Sequence, residues 1–260
     1  MQTDAFVLLT PRQVTAGPRT RRLGSPLYYY TEVGSTNQVA GDLAVAGASE
    51  GTTVIAEAQT AGQGRLGRTW LSPRGKGLWF SVILRPHLDP ARAPQITLLA
   101  SVAVAAAVQE QSGLSPGIKW PNDLLLNGRK ACGILTEMAA GNEGIEYIVL
   151  GVGINVNLEA ADFSPDLWAT ATSLLLETGR PVDRQDLFQE ILYQIECWYC
   201  RWLVEGFEPV RQAWKKASVT LGQEVVVNSC QEVFVGRARD IDAEGALIVE
   251  GPGGEVQRFN

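Results

Sequence analysis

The chain is short of cysteine, histidine and positive charge, and each shortage closes off a class of protein. Four cysteines in 260 residues, Cys132, Cys197, Cys200 and Cys230, fit a reduced cytoplasmic protein better than a disulfide scaffold. Cys197-Trp-Tyr-Cys200 has redox spacing, but it lies inside a periodic helical segment rather than at a helix N-terminus, so it is expected to pack in the core. The one histidine, His87, stands among prolines and reads as a loop residue, which leaves no obvious general base. A net charge of −6 gives no broad basic surface to displace counterions from a duplex, so no nucleic-acid partner is expected. The longest mostly apolar stretch, 96–108, contains Thr97 and Ser101 and is too short for a bilayer, so no membrane partner is expected either. The apolar patch at 5–9 lacks a basic lead, which argues against a secretory signal; Arg19, Arg21 and Arg22 leave a transit peptide open. There are no internal repeats and no low-complexity tract.

What is present is a folded composition. Hydrophobic residues make up 45% and charged residues 19%, and the length suits one large domain with or without a small appendage. Residues 1–26, with Pro11, Gly17, Pro18, Gly24 and Pro26, read as a loose lead-in. Strands are expected at 27–31, 53–58 and 78–84. Ser35 and Gln38 have capping-box spacing for an alanine-rich helix that ends near Gly47. A buried helix should start at Pro94 and stop at Gly113. Asn127-Gly128 is a strong two-residue turn and predicts a hairpin between 124–126 and 131–135. A β-rich run covers 147–157. Asp183 can cap a helix carrying Leu187, Ile191, Ile195, Trp198 and Trp202 at helical spacing. From 217 to 260 the texture changes to short strands and turns, a small all-β module that should lean on the main domain. The expected division is therefore 1–26, 27–216 and 217–260.

Several motifs carry chemistry. Residues 62–76 contain Arg65, Arg68, Arg74 and Lys76 and no acid, so this stretch could meet a small polyanion. Gly62-Gln63-Gly64-Arg65-Leu66-Gly67 matches a dinucleotide fingerprint in letters only, because Ser72, Pro73, Gly75 and Gly77 prevent the helix that motif needs. It reads instead as an anion loop, with glycine backbone and arginine forks for phosphate and Trp70 as a stacking face; an ordinary solvated loop is the other reading. Lys119-Trp120-Pro121-Asn122-Asp123 kinks the chain at a strand end and gathers a cation with a carboxylate that could hold Mg²⁺ or orient an arginine; a plain charged hairpin is the alternative. Ala131 and Gly133 allow a ligand to approach the backbone beside Lys130, and Gly151 and Gly153 weaken a strand unless something needs the room.

In order, spacing and wording, Ser35-Thr36-Asn37, residues 59–70, 119–123, 129–135 and 151–157 closely resemble the catalytic domain of biotin protein ligases. The resemblance covers about 27–215, and the terminal module resembles that family's C-terminal domain. It implies an α+β fold: a mixed central sheet flanked by helices, of the class II synthetase and biotin ligase kind, plus a small Src-homology-3-like β-barrel. It implies ATP-dependent, AMP-forming biotinylation of a lysine on a biotin carboxyl carrier protein, such as the acetyl-CoA carboxylase subunit, through biotinyl-5′-AMP. ATP, biotin and Mg²⁺ are the implied small molecules, and a monomer or homodimer the implied state.

By the same resemblance Ser35, Thr36, Asn37, Gln59, Gly62, Gln63, Gly64, Arg65, Lys130 and Gly133 would meet biotin. Arg65, Lys119, Lys130 and Asp123 would carry the catalysis, with Asp123 also the candidate Mg²⁺ ligand and a guide for the incoming amine. Arg68, Trp70, Asn122, Ile154 and Asn155 would join Arg65 at the nucleotide. The family loop commonly reads Gly-Arg-Gly-Arg; here Gln63 fills the first arginine slot. A lipoate or octanoate ligase of the same fold is the alternative, and a biotin- or nucleotide-responsive regulator a second. Residues 1–26 are too few for the helix-turn-helix domain that some members carry.

Overall fold

Strand β3 (Leu78–Leu84) is an unbroken apolar run and is buried at every position, as a central strand covered on both faces must be. The computed structural model describes residues 8–10, 14, 19–142, 144–228 and 233–260. Around β3 lies a seven-stranded sheet in the order β1-β2-β3-β7-β6-β5-β4. Its other members are β1 (Leu27–Tyr30), β2 (Thr53–Ala56), β4 (Gly117–Lys119), β5 (Asp123–Leu126), β6 (Arg129–Gly141) and β7 (Gly144–Ile154). Only β1 and β2 run parallel; the other neighbours are antiparallel, so the sheet is mixed as expected.

Alternation along β3 sorts the two faces. Phe80, Val82 and Leu84 join the main core with Ile96, Leu99 and Ala103 of α2 (Pro94–Ser112), and with Phe188, Ile191 and Ile195 of α4 (Arg184–Glu205). Gly113, with a φ of 75°, ends α2 in the left-handed cap that glycine favours. This helix is long and apolar enough to match a bilayer span, yet it is packed between sheet and helix. On the opposite face Ile83 packs on Ala40 and Ala44 of α1 (Thr36–Val45), Trp79 packs on Leu158 and Phe163, and Ser81 lies between them.

Asp183 caps α4 by accepting from the backbone N–H groups of Gln185 and Asp186. Two further helices, α3 (Leu174–Thr178) and α5 (Glu208–Ala217), were not expected, although Ser173 and Gly179 cap the first and Val210, Ala213, Trp214 and Ala217 give the second an apolar stripe at helical spacing. The C-terminal module is an antiparallel sheet, β8 (Glu224–Asn228), β9 (Val233–Ile241), β10 (Leu247–Glu250) and β11 (Val256–Phe259), in the order β11-β10-β9-β8. It leans on the main domain: Phe234, Ala238, Ile241, Leu247, Val249 and Phe259 share the main core.

Two expectations need correction. The lead-in is not loose where it is described: Leu9, Val14 and Leu23 are buried in the main core, and Glu196 of α4 accepts the N–H groups of Arg21, Arg22 and Leu23. Pro11, Gly17 and Pro18 lie outside the described residues, as does Cys230. The Cys197/Cys200 pair is not a core pair: Cys197 is exposed on α4, both thiols are free, and burial pushes the Cys200 thiol upward.

Candidate active site

The site-bearing face is read most easily along β7. Gly151, Gly153 and Asn155 follow one another on the same side, and so do Leu135 and Gly133 of the paired strand β6. A cavity of about 560 Å³ runs along this line, and it brings together most of the residues that the motifs single out.

One end is lined by hydroxyl and amide side chains, with the Glu137 carboxylate behind Asn37. Ser35 takes the N-cap position of α1 but makes no side-chain cap bond, so the capping box is not formed. Gln59 instead receives the chain: its Oε1 accepts from the Thr36 N–H at 2.8 Å, and its Nε2 donates to Ser72 Oγ at 2.9 Å. The Asn37 amide donates to Glu137 Oε2 at 2.7 Å and to the Leu135 carbonyl at 3.3 Å. Ser81 Oγ lies 2.7 Å from Asn37 Oδ1 and 2.8 Å from Thr36 Oγ1. Buried polar groups must be paired, and this cluster fixes both amide orientations. Gly151 exists for Asn37: a Cβ there would lie 2.0 Å from Asn37 Oδ1.

The middle is cationic. Arg65, Arg68, Lys119 and Lys130 line the same cavity. Lys130 Nζ pairs with Asp123 Oδ1 at 2.6 Å and stands 5.1 Å from the Trp70 ring centroid. Desolvation lowers the Arg65 pKa from its ordinary value, with the Asp123 carboxylate acting the other way; a guanidinium stays charged throughout. Arg65 opens a single 3₁₀ turn (Arg65–Gly67), Leu66 follows at a φ of 57°, and Gly64 donates back to the Arg68 carbonyl at 2.7 Å. The absence of an α-helix here settles the fingerprint question against a dinucleotide fold.

The far end is aromatic and apolar. Trp70 meets Trp79 edge-on at 6.5 Å, and Phe163, Leu167 and Ala171 complete the wall. The glycines work differently from the expectation: Gly133 and Gly153, register partners, make room for Trp70 rather than for a ligand. A Cβ on Gly153 would lie 2.6 Å from Trp70 Nε1, and one on Gly133 would lie 3.0 Å from the same ring.

Of the expected contacts, Ser35, Thr36, Asn37, Gln59, Gln63, Gly64, Arg65, Arg68, Trp70, Lys119, Asn122, Asp123, Lys130, Gly133 and Asn155 line this cavity. Two do not. Gly62 is buried in the loop base, where a Cβ would lie 2.5 Å from the Trp70 carbonyl. Ile154 points to the opposite face and belongs to the main core, as strand alternation requires of the residue between Gly153 and Asn155. Asn122 and Asn155 donate to the carbonyls of Ile134 and Thr172, so both brace the walls they line. Lys76 is not turned toward an incoming anion; it pairs with Asp162 and Glu159. His87 is exposed and lies outside the cavity. Burial pushes the Cys132 thiol far up, which removes it as a nucleophile.

The sequence reading missed Ser81, Glu137 and the wall at 163–171. Ser81 had a signal, as the one polar residue in a seven-residue apolar strand. The wall had none, being irregular chain around one short 3₁₀ turn (Pro165–Leu167) with neither helical nor strand period.

This architecture has known counterparts. Residues 30–155 match the model of the biotin/lipoate A/B protein ligase family, and residues 220–260 match the biotin protein ligase C-terminal domain. The bifunctional ligase/repressor BirA of Bacillus subtilis is 40% identical over 242 residues, covering 93% of this chain and 74% of that protein. A biotin–[acetyl-CoA-carboxylase] ligase of Paracoccus denitrificans is 35% identical over 225 residues, covering 85% of this chain and 92% of that one. The structure of the Aquifex aeolicus biotin protein ligase in complex with biotin and ATP superposes with a TM-score of 0.76 at 28% identity, over 90% of this chain and 94% of the other. Both domains, the order of the motifs and a cavity that joins an amide-lined end to a cationic one thus lead to one conclusion: the chain belongs to the biotin protein ligase family.

Proposed function

We propose that this protein activates biotin with ATP and transfers it to a lysine on a biotin carboxyl carrier protein. The observation that carries the reading is the joint placement of Arg65, Lys130 and Asp123 between an amide-lined end and an aromatic end of one cavity. A ureido ring needs fixed donors and acceptors, which Thr36, Asn37 and Gln59 supply at the cavity wall while the buried Ser81 hydroxyl braces Thr36 and Asn37 from behind. A purine needs a flat apolar surface, which Trp70, Phe163 and Leu167 supply. The carboxylate and the α-phosphate would then meet where the cations stand.

In the first step the biotin carboxylate oxygen bonds to the α-phosphorus and pyrophosphate leaves. Two anions approach each other, so Arg65 and Lys130 must offset their repulsion in a site that excludes water. In the second step the carrier amine attacks the acyl carbon, an amide forms and AMP leaves. Positioning supplies most of what a mixed anhydride still needs. Asp123, paired with Lys130, is the group placed to guide the incoming neutral amine, whose proton passes to solvent as the amide forms. Mg²⁺ would enter with the triphosphate, because Asp123 is already paired and no cluster of three metal-ligating side chains occurs among the described residues. Beyond Gly133 the outer edge of β6 has no strand neighbour among the described residues, and a groove of about 670 Å³ borders it beside Arg65; a carrier chain could approach there.

Mass spectrometry of a carrier domain after incubation with biotin and Mg-ATP should show one biotinyl addition on one lysine. No addition, or equal use of lipoate or octanoate in competition, would end this reading. The free thiols Cys132, Cys197 and Cys200 favour a reducing, cytoplasmic setting, and the acidic net charge gives no reason to expect operator binding in a gel shift.

A further inference from the structure

We infer that Lys76 is a positioning residue for the nucleotide, acting through an ionic clamp on the wall of the cavity. Its ammonium sits 2.6 Å and 2.8 Å from the two oxygens of Asp162 and 3.1 Å from Glu159 Oε2. Its carbonyl accepts the Asn157 N–H at 2.6 Å. One residue thus ties the return leg of the glycine-rich segment to both ends of residues 157–162. The pair is unlike an ordinary surface ion pair, which contributes little. Lys76 and Asp162 are only 19% and 18% exposed at the side chain, and Asp162 also accepts the Glu159 N–H at 2.7 Å. The bonds to Asp162 and Glu159 raise the Lys76 pKa even against burial.

The consequence lies one residue on. Phe163 is 6% exposed and packs with Trp79 and Leu158, and Leu167, Ala171 and Trp70 lean on the same cluster. Holding Asp162 therefore holds Phe163, and with it the surface that faces Trp70. Lys76 and Asp162 are not among the residues that line the cavity, and Asn37 and Gln59 at the polar end bond to Glu137, Leu135, Ser81, Thr36 and Ser72. Loss of the clamp should loosen the nucleotide end and leave the biotin end as it was. Naming the occupant of the wall as a nucleotide rests on the function proposed above.

Two readouts on Lys76→Met, which keeps the side-chain length, test the clamp and its consequence separately. Hydrogen exchange of the unliganded protein needs no activity: amides of 159–171 should exchange ~10-fold faster while those of β3 and β7 are unchanged. Biotin-dependent ATP–pyrophosphate exchange should then show KM for ATP raised ~10-fold, with KM for biotin and kcat within ~2-fold of the parent. Asp162→Asn should reproduce both effects, the double variant should be no worse than either single one, and Lys76→Arg should restore most of the ATP affinity. Unchanged exchange at 159–171 overturns the clamp. A parallel rise in both KM values, or faster exchange throughout the molecule, overturns its selectivity for the nucleotide end. A parent protein with no biotin-dependent exchange activity would reject the ligase reading, while the hydrogen-exchange result still decides the clamp.

Discussion

The two ends of the cavity are built by opposite means. The polar end is made of side chains on strands and helix starts, each held by a hydrogen-bonded neighbour: Asn37 by Ser81 and Glu137, Thr36 by Gln59. The cationic and aromatic end is made of a loop, a hairpin and a wall, joined by ion pairs: Lys130 with Asp123, Lys76 with Asp162, Arg129 with Glu177. A neutral ring is recognised by donors and acceptors fixed in advance, which only rigid elements can hold. A charged nucleotide is met by cations, which act over longer range and tolerate a less rigid frame. The two ends should therefore fail differently.

The largest effect should come from Lys130→Ala. It removes a cation from the point of anion–anion contact, so biotin-dependent pyrophosphate exchange should fall roughly 10²–10³-fold. Thermal unfolding should move little, because the side chain is 33% exposed and the backbone of Lys130 keeps its bonds to Thr170 and Thr172. Full exchange activity in this variant would remove Lys130 from the mechanism. Next, Gly151→Ala should strike the polar end alone. The new methyl meets Asn37 Oδ1, and displacing a buried, paired amide costs about 1–3 kcal/mol, or roughly 10–100-fold in KM for biotin. If ATP affinity fell equally, the two ends would not be independent.

A smaller effect is expected from Gly153→Ala, one strand repeat away. It presses on Trp70, which can tilt toward the open cavity, so KM for ATP should rise about 10-fold while biotin affinity holds. The pair of glycine variants thus sharpens the comparison, since each methyl reports on one end.

The smallest effect concerns pH. Burial pushes the Glu177 carboxyl up, but donors from Thr172, Asn127 and Arg129 outweigh it and hold its pKa below the usual carboxylate range. A depressed folded pKa means stability that is present above the unfolded value of about 4.3 and lost as pH falls through the folded one. Glu177→Gln should therefore be less stable than the parent near neutrality, and the gap in urea midpoints should close on acidification. A gap that stays constant down to pH 3 would show that charge on Glu177 does not hold the hairpin to α3.

How much of this was legible varies with the physics of each part. The cap of α4 at Asp183, the stop of α2 at Gly113 and the hairpin turn at Asn127-Gly128 were readable because each depends on local backbone chemistry. The wall at 163–171 was not, because its shape is set by what it packs against rather than by its own period, whereas α3 and α5 carried local caps and an apolar stripe that were passed over. Ile154 was misplaced because a motif read as a string ignores that neighbours on a strand face opposite ways. Gly133 and Gly153 were rightly marked as places where something comes close, but the occupant turned out to be Trp70.

By itself the sequence determined the order of the main strands and of the three principal helices, the family and the set of cations, since these follow from local signals and motif spacing. Tertiary structure alone decided which cation faces the cavity and which is tied up: Lys130 and Lys76 are alike as letters, yet one stands beside Asp123 in the site and the other clamps Asp162 behind it. The reason is that charge belongs to a residue, whereas its partner is chosen by segments far apart in the chain that meet only after folding.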